Sequence, residues 1–303
     1  MRIQHYLEYA IFRAATLFIQ AFPLATIRRI GAALGGFVYR FVRYRKSITE
    51  DNLRNAFPEM SESEIRKLAE ESFRSLGTAF FEILWLPRLT AETMKPLACI
   101  TNTERAYELL SRGKGLIIVT AHAANWEWAA QAYPVWICKP ITSIVKTQSN
   151  RMVDAYINWL RTRWGMSVIS MDASVREMLR VLQRGEALGI VADQTAGAGN
   201  VRVPFFGRET PVHLGPAIFS LRTGAPIVMA IPLRKPDGNY EMTFEEVKQD
   251  DLTEYSEENV VELARRFTSM MEQAIMRAPG QWMWTHRRWK HVQPRVKREE
   301  ANE

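Results

Sequence analysis

The sequence predicts an α/β protein, a mostly parallel central sheet flanked by helices, with a helical, membrane-associated segment at its N-terminus. Three observations carry that prediction. From about residue 97 onward short apolar runs alternate with helical stretches, the pattern of a largely parallel sheet with crossover helices. Between residues 47 and 92 a capping signal and a helical apolar periodicity recur. The first 46 residues join an apolar stretch to a cluster of arginines.

The N-terminal stretch Tyr6 to Leu24 is mostly apolar but contains Glu8 and Arg13, and no small-residue cleavage site follows it. Its eight Leu, Ile and Phe residues favour insertion by about 4 kcal/mol, whereas Arg13 near the centre costs about 2.5 kcal/mol or more. Spanning the membrane and lying in its interface are therefore nearly balanced. Arg28, Arg29, Arg40, Arg43, Arg45 and Lys46 follow among apolar residues, which suits an acidic lipid surface and places the bulk of the chain on the cytoplasmic side. A basic amphipathic helix packed on the protein itself is the alternative.

Residues 47–92 read as a helical segment packed on the core. Pro58 ends one helix, Ser61 and Glu64 form a capping box for the next, and Leu68, Phe73, Leu76, Phe80 and Leu84 make its apolar stripe. Residues 93–291 form the α/β core, with strands expected at 115–120, 141–145, 166–170, 187–193 and 225–233 and an edge strand at 240–247. Residues 292–303 form a charged tail.

A chain of 303 residues with 47% hydrophobic and 24% charged residues folds around a sizeable core. The net charge of +7 favours an anionic partner. Because the basic residues flank an apolar stretch, lipid is expected as that partner and nucleic acid is not; neither a Walker pattern nor G-x-G-x-x-G occurs, so nucleotide binding is not indicated. Cys99 and Cys138 lack C-x-x-C spacing, and no disulfide, metal or cofactor is expected.

The candidate chemistry begins at A-H-A-A-N-W-E-W, residues 121–128, directly after the first expected core strand. Ligands of open α/β sheets gather beyond the carboxyl ends of the strands, where His122 falls. Asn125 would cap the next helix, and Glu127 in its first turn could reach back to the imidazole, leaving the other ring nitrogen to take a proton. No G-x-S-x-G elbow, placed cysteine or H-E-x-x-H accompanies it, so a histidine base would activate a bound hydroxyl or water. A histidine that merely caps a strand fits the same pattern. The loop 192–211 is glycine-rich, with Arg202 and Arg208 positioned to hold anionic oxygens, and Arg161 and Arg163 would suit a phosphorylated ligand. His286 and His291 have a metal-like separation but no carboxylate or cysteine partner, which favours structural roles.

Five blocks in order give the sequence a resemblance: "RYRKSITEDNLRNAFPE" with "FRSLGTAFFE", H-A-A-N-W-E, "NRMVDAYINWLRTRWG", "LQRGEALGIVADQTAGAGNVRVPFFGR" and "APGQWMWTHRRWK". Together they resemble the lipid A biosynthesis acyltransferases, the late lauroyl and myristoyl transferases, within the wider glycerophosphate acyltransferase-like group. The resemblance implies an enzyme on the cytoplasmic face of a bacterial inner membrane. It would move a fatty acyl chain from acyl carrier protein, or coenzyme A, to a hydroxyl of a lipid A precursor. His122 would be the base and Glu127 its partner. Lys146, Asn150, Arg161, Arg163, Asp193, Phe206 and Gly207 fall on family positions that imply substrate binding, with Arg202 and Arg208 in the same loop region. Acylation of another glycolipid, such as a phosphatidylinositol mannoside, and a non-catalytic lipid-binding protein are the alternatives.

Overall fold

The computed structural model describes residues 3–292; the expected tail from residue 293 lies outside them. In chain order the helices are α1 (Ile3–Gln20), α2 (Leu24–Phe37), α3 (Lys46–Ala56), α4 (Glu62–Trp85), α5 (Ala91–Met94), α6 (Thr103–Ser111), α7 (Trp126–Ile137), α8 (Arg151–Arg161), α9 (Val175–Gln183), α10 (Gly215–Thr223) and α11 (Glu257–Arg277). The strands are β1 (Ala98–Thr101), β2 (Leu116–Thr120), β3 (Ile141–Val145), β4 (Met166–Ser170), β5 (Ala187–Val191), β6 (Arg202–Phe205), β7 (Arg208–Pro211), β8 (Ile227–Met229), β9 (Leu233–Arg234), β10 (Tyr240–Thr243) and β11 (Glu245–Glu246).

The main sheet has the order β11-β8-β2-β5-β3-β4; every pairing is parallel except that of the edge strand β11. Its inner strands β2, β5 and β8 are largely buried on both faces, which is why they read as continuous apolar runs rather than as alternation. In β2, Ile117 and Val119 join a core with Leu188, Ile190, Phe267 and Met271. Leu116 and Ile118 point the other way, into a second core with Trp128, Tyr133 and Leu160. A three-stranded sheet, β1-β10-β9, and the hairpin β6–β7 complete the strands.

The expected strand at 240–247 is two strands in two sheets. Phe244, fully buried between β10 and β11, turns the chain from the small sheet to the edge of the large one. The stretch 225–233 divides in the same way between β8 and β9. The region 202–211, expected as a loop, is a hairpin, with Phe206 and Gly207 in left-handed backbone at its turn.

At the N-terminus α2 lies against α4 at a contact only glycine permits. A Cβ on Gly35 would stand 2.1 Å from the carbonyl oxygen of Phe73, and one on Gly77 would stand 2.2 Å from that of Gly31. Outward from this pair face Ile30, Leu34 and Phe37 of α2, then Phe41, Val42 and Tyr44, and from α1 Ile3, Leu7, Ile11, Leu17 and Phe18. Phe80, expected in the α4 core stripe, is also exposed, whereas Leu68, Phe73 and Leu84 are buried. Among the described residues no helix is long and apolar enough to cross a membrane.

Candidate active site

Strands β2 and β5 run parallel in register, Thr120 opposite Val191. Two residues beyond each strand end stand His122 and Asp193, so the sheet itself brings them together. Asp193 is 3% exposed and accepts three hydrogen bonds. Its Oδ1 lies 2.7 Å from Nδ1 of His122, and its Oδ2 takes the backbone N–H of His122 at 2.9 Å and Nε1–H of Trp282 at 2.7 Å. Nδ1 therefore carries the proton, leaving Nε2 as the lone-pair nitrogen. Among the described residues none hydrogen-bonds Nε2, and the side chain remains 19% exposed.

Burial disfavours charge on the imidazole, but the Asp193 carboxylate, its hydrogen bond and the charge of Glu127 outweigh that and hold the His122 pKa above the ordinary imidazole value. Burial likewise works to raise Asp193, yet His122 and the donors on Oδ2 keep its carboxyl below the usual range. The pair is thus poised to carry an imidazolium against a carboxylate.

The turn after β2 is tightly held. Ala124 takes left-handed backbone, φ 46°, which costs a residue with a Cβ about 1–2 kcal/mol. Its N–H donates to the Gln281 carbonyl at 2.8 Å, and Ala123 forms a bridge to Trp282. Asn125 caps α7 by accepting from the Trp128 N–H at 3.1 Å. Its amide also donates to Glu82, a fully buried carboxylate of α4. Arg28 from α2 at 2.6 Å, Arg234 from β9 at 3.1 Å and the Tyr240 hydroxyl complete the shell of Glu82.

Glu127 does not reach back to the imidazole. The first turn of α7 points it at α8, where Arg161 forks onto both its oxygens, with Nε at 2.9 Å from Oε2. Asp193, expected among the substrate residues, takes the place anticipated for Glu127, because strand register sets it opposite His122 whereas a helical first turn carries position 127 away. Arg161, expected to bind substrate, spends its fork on that carboxylate.

Most other candidate substrate residues have structural partners. Asn150 caps α8 through Met152 N–H and donates to the His5 carbonyl and to Glu8, fastening α1 to the core. Arg163 binds the carbonyls of Leu86 and Leu89 and lies over the rings of Trp159 and Trp164. Arg202 spans from the Glu209 carbonyl to that of His291. Phe206 is buried with its N–H on Glu272, Gly207 completes the turn, and Arg208 is buried against Asn55 and the Trp289 ring. Lys146 is exposed at the end of β3.

Three contributors carry no local signal. Trp282 acts from a tryptophan-rich stretch near the C-terminus, and Arg28 and Arg234 converge on Glu82 from distant segments. Glu82 itself could have been suspected as a lone carboxylate inside "FFEILW". Among the described residues no group of three His, Cys, Asp or Glu side chains is spaced to hold a metal.

A parallel sheet carrying an aspartate-held imidazole beyond its strand ends, with no partner on the second ring nitrogen among the described residues, defines an α/β protein with a group able to take up a proton there. The model of the bacterial lipid A biosynthesis acyltransferase family matches residues 2–291, and the chain belongs to that family. It is 28% identical over 275 residues to the lipid A biosynthesis lauroyltransferase of Escherichia coli K12, covering 88% of this chain and 86% of that protein. The palmitoleoyltransferase of the same organism is 27% identical over 277 residues, with the same shares covered. A phosphatidylinositol mannoside acyltransferase of Mycolicibacterium smegmatis is 22% identical over 165 residues, 52% of this chain and 53% of that protein.

Proposed function

We propose that the protein transfers a fatty acyl chain from the thioester of acyl carrier protein to a hydroxyl of a lipid A precursor, with His122 as general base. The observation that carries this reading is the His122–Asp193 pair with Nε2 left open. Nε2 takes the proton of the acceptor hydroxyl as its oxygen attacks the thioester carbonyl. The new ester forms as the carbon–sulfur bond breaks, and the proton on Nε2 passes to the departing thiolate. Asp193 holds the tautomer and stabilises the imidazolium, the part an aspartate plays beside a serine-activating histidine. Glu127 adds negative charge to the same imidazole and anchors Arg161. Of the expected substrate contacts, exposed Lys146 is the side chain best placed to meet an anionic group.

The exposed apolar residues of α1, α2 and Phe41, flanked by exposed Arg29, Arg43 and Arg45, support seating on an acidic bilayer surface without a spanning helix. The proposed location is the cytoplasmic face of a bacterial inner membrane, where lipid tails remain in the bilayer while the hydroxyl meets His122. Similarity to a phosphatidylinositol mannoside acyltransferase over half the chain keeps a second glycolipid acceptor as the competing reading. Mass spectrometry of lipids from cells with and without the gene separates the two. An added acyl ester on lipid A that disappears with His122→Ala supports the proposal; an unchanged lipid A profile overturns it.

A further inference from the structure

Asp193 is oriented by three donors, and one of them comes from a side chain outside the pair. We propose that Trp282 is a positioning residue for the reaction, its indole N–H fixing the Asp193 carboxylate so that Oδ1 faces Nδ1 of His122. This rests on the reading of His122 and Asp193 as the proton-handling pair. The aspartate χ2 torsion is broad and roughly twofold, so a buried carboxylate is not oriented by its own rotamer. Two donors on Oδ2, the His122 N–H at 2.9 Å and the Trp282 indole at 2.7 Å, remove that freedom.

Trp282 is built to stay where it is. It is 3% exposed, packs edge-on against Phe205 and Trp284, and its carbonyl accepts from Ser72 Oγ at 2.8 Å. The same segment grips the other partner, since Met283 N–H donates to the His122 carbonyl at 2.9 Å. A ring retained for packing alone would not need its one donor aimed at a buried carboxylate. The titratable and charged groups within electrostatic reach of Asp193 are His122, His286, Arg288 and His213; those within reach of His122 are Asp193, Glu127 and His286.

The test uses the full-length chain in lipid vesicles, a lipid A precursor as acceptor and lauroyl and palmitoleoyl thioesters of acyl carrier protein as donors. Two variants are compared with the parent: Trp282→Phe, and benzothienylalanine at position 282, which keeps the ring size and replaces N–H by sulfur. Both should lower kcat by about tenfold to a hundredfold with KM changed less than about twofold, as loss of orientation does. The acid limb of the pH profile should move to lower pH, because an Asp193 carboxylate free to turn away from Nδ1 stabilises the imidazolium less. An unshifted limb with kcat within about twofold of the parent, or a change in KM alone, overturns the proposal. Should Trp282→Phe melt early, the isosteric variant decides. Asp193→Asn is run beside them: its near-normal turnover would sink the pair itself, whereas its inactivity beside normal position-282 variants sinks only the role of Trp282.

Discussion

Two buried carboxylates stand either side of the A-H-A-A-N turn, and their surroundings differ in one respect. Glu82 is saturated, with two guanidiniums, a tyrosine hydroxyl and the Asn125 amide around it. Asp193 has a full set of donors too, but its ionisable partner is an imidazole whose second nitrogen has no partner among the described residues. The Glu82 cluster can only hold: every strong donor it meets is permanently charged or pinned. The Asp193 pair can change state, since a proton at Nε2 is stabilised from behind. Similar burial thus yields a fastening in one place and, on the proposed function, a proton-accepting pair in the other.

That contrast can be broken from either side. The largest effect is expected for His122→Ala, which should cut acyl transfer by about a thousandfold or more while leaving the unfolding midpoint near the parent's. A melt shifted as strongly as the rate would make His122 structural instead. Glu82→Ala should do the reverse, costing about 3–5 kcal/mol of stability because two part-buried guanidiniums lose a fully buried counterion. Chemical denaturation of the purified chain measures this, and a loss below about 1 kcal/mol would remove Glu82 from its role. Gly77→Ala forces a Cβ into the Gly31 carbonyl and should cost about 1–3 kcal/mol as α2 is pushed off α4.

The smallest effect sharpens the comparison by pH. The raised His122 pKa means that the base is lost to protonation as pH falls through a value above the ordinary imidazole range, so kcat/KM should drop on the acid side above about 6.5. For stability the signs differ between the partners. The Asp193 contribution is present above the ordinary carboxylate pKa and is lost as pH falls through its depressed value. The imidazolium contribution is full below the ordinary histidine pKa and is lost as pH rises through the elevated one. A kcat/KM profile with its acid limb below the ordinary imidazole value of 6.5 would contradict the proposed pairing.

Much of the fold was legible because the inner parallel strands are largely buried on both faces and leave apolar runs, and β2, β3 and β4 fall on the expected stretches. The division of 240–247 was not legible, since Phe244 looks the same at the centre of one strand as at the crossing between two sheets. At the site, His122 and the cap at Asn125 follow from local order. The choice between Glu127 and Asp193 does not, because it depends on strand register across 71 residues of sequence separation. The partners of the arginines were hidden for a related reason: a guanidinium's intramolecular contacts, carbonyls for Arg163 and a carboxylate for Arg161, depend on segments distant in sequence.

The ion pair of Arg28 with Glu82 bears on how this protein can be shortened. Trimming the apolar N-terminal helices is the obvious route to a chain that handles well in water, and it looks like the removal of an anchor. Arg28 lies within the trimmed part, so the cut also deletes a positive charge from beside the buried Glu82 and leaves that carboxylate to Arg234, Tyr240 and Asn125. A trimmed protein that fails should then be recovered by relieving the stranded carboxylate, with Glu82→Gln as the companion change, rather than by restoring a lipid tether.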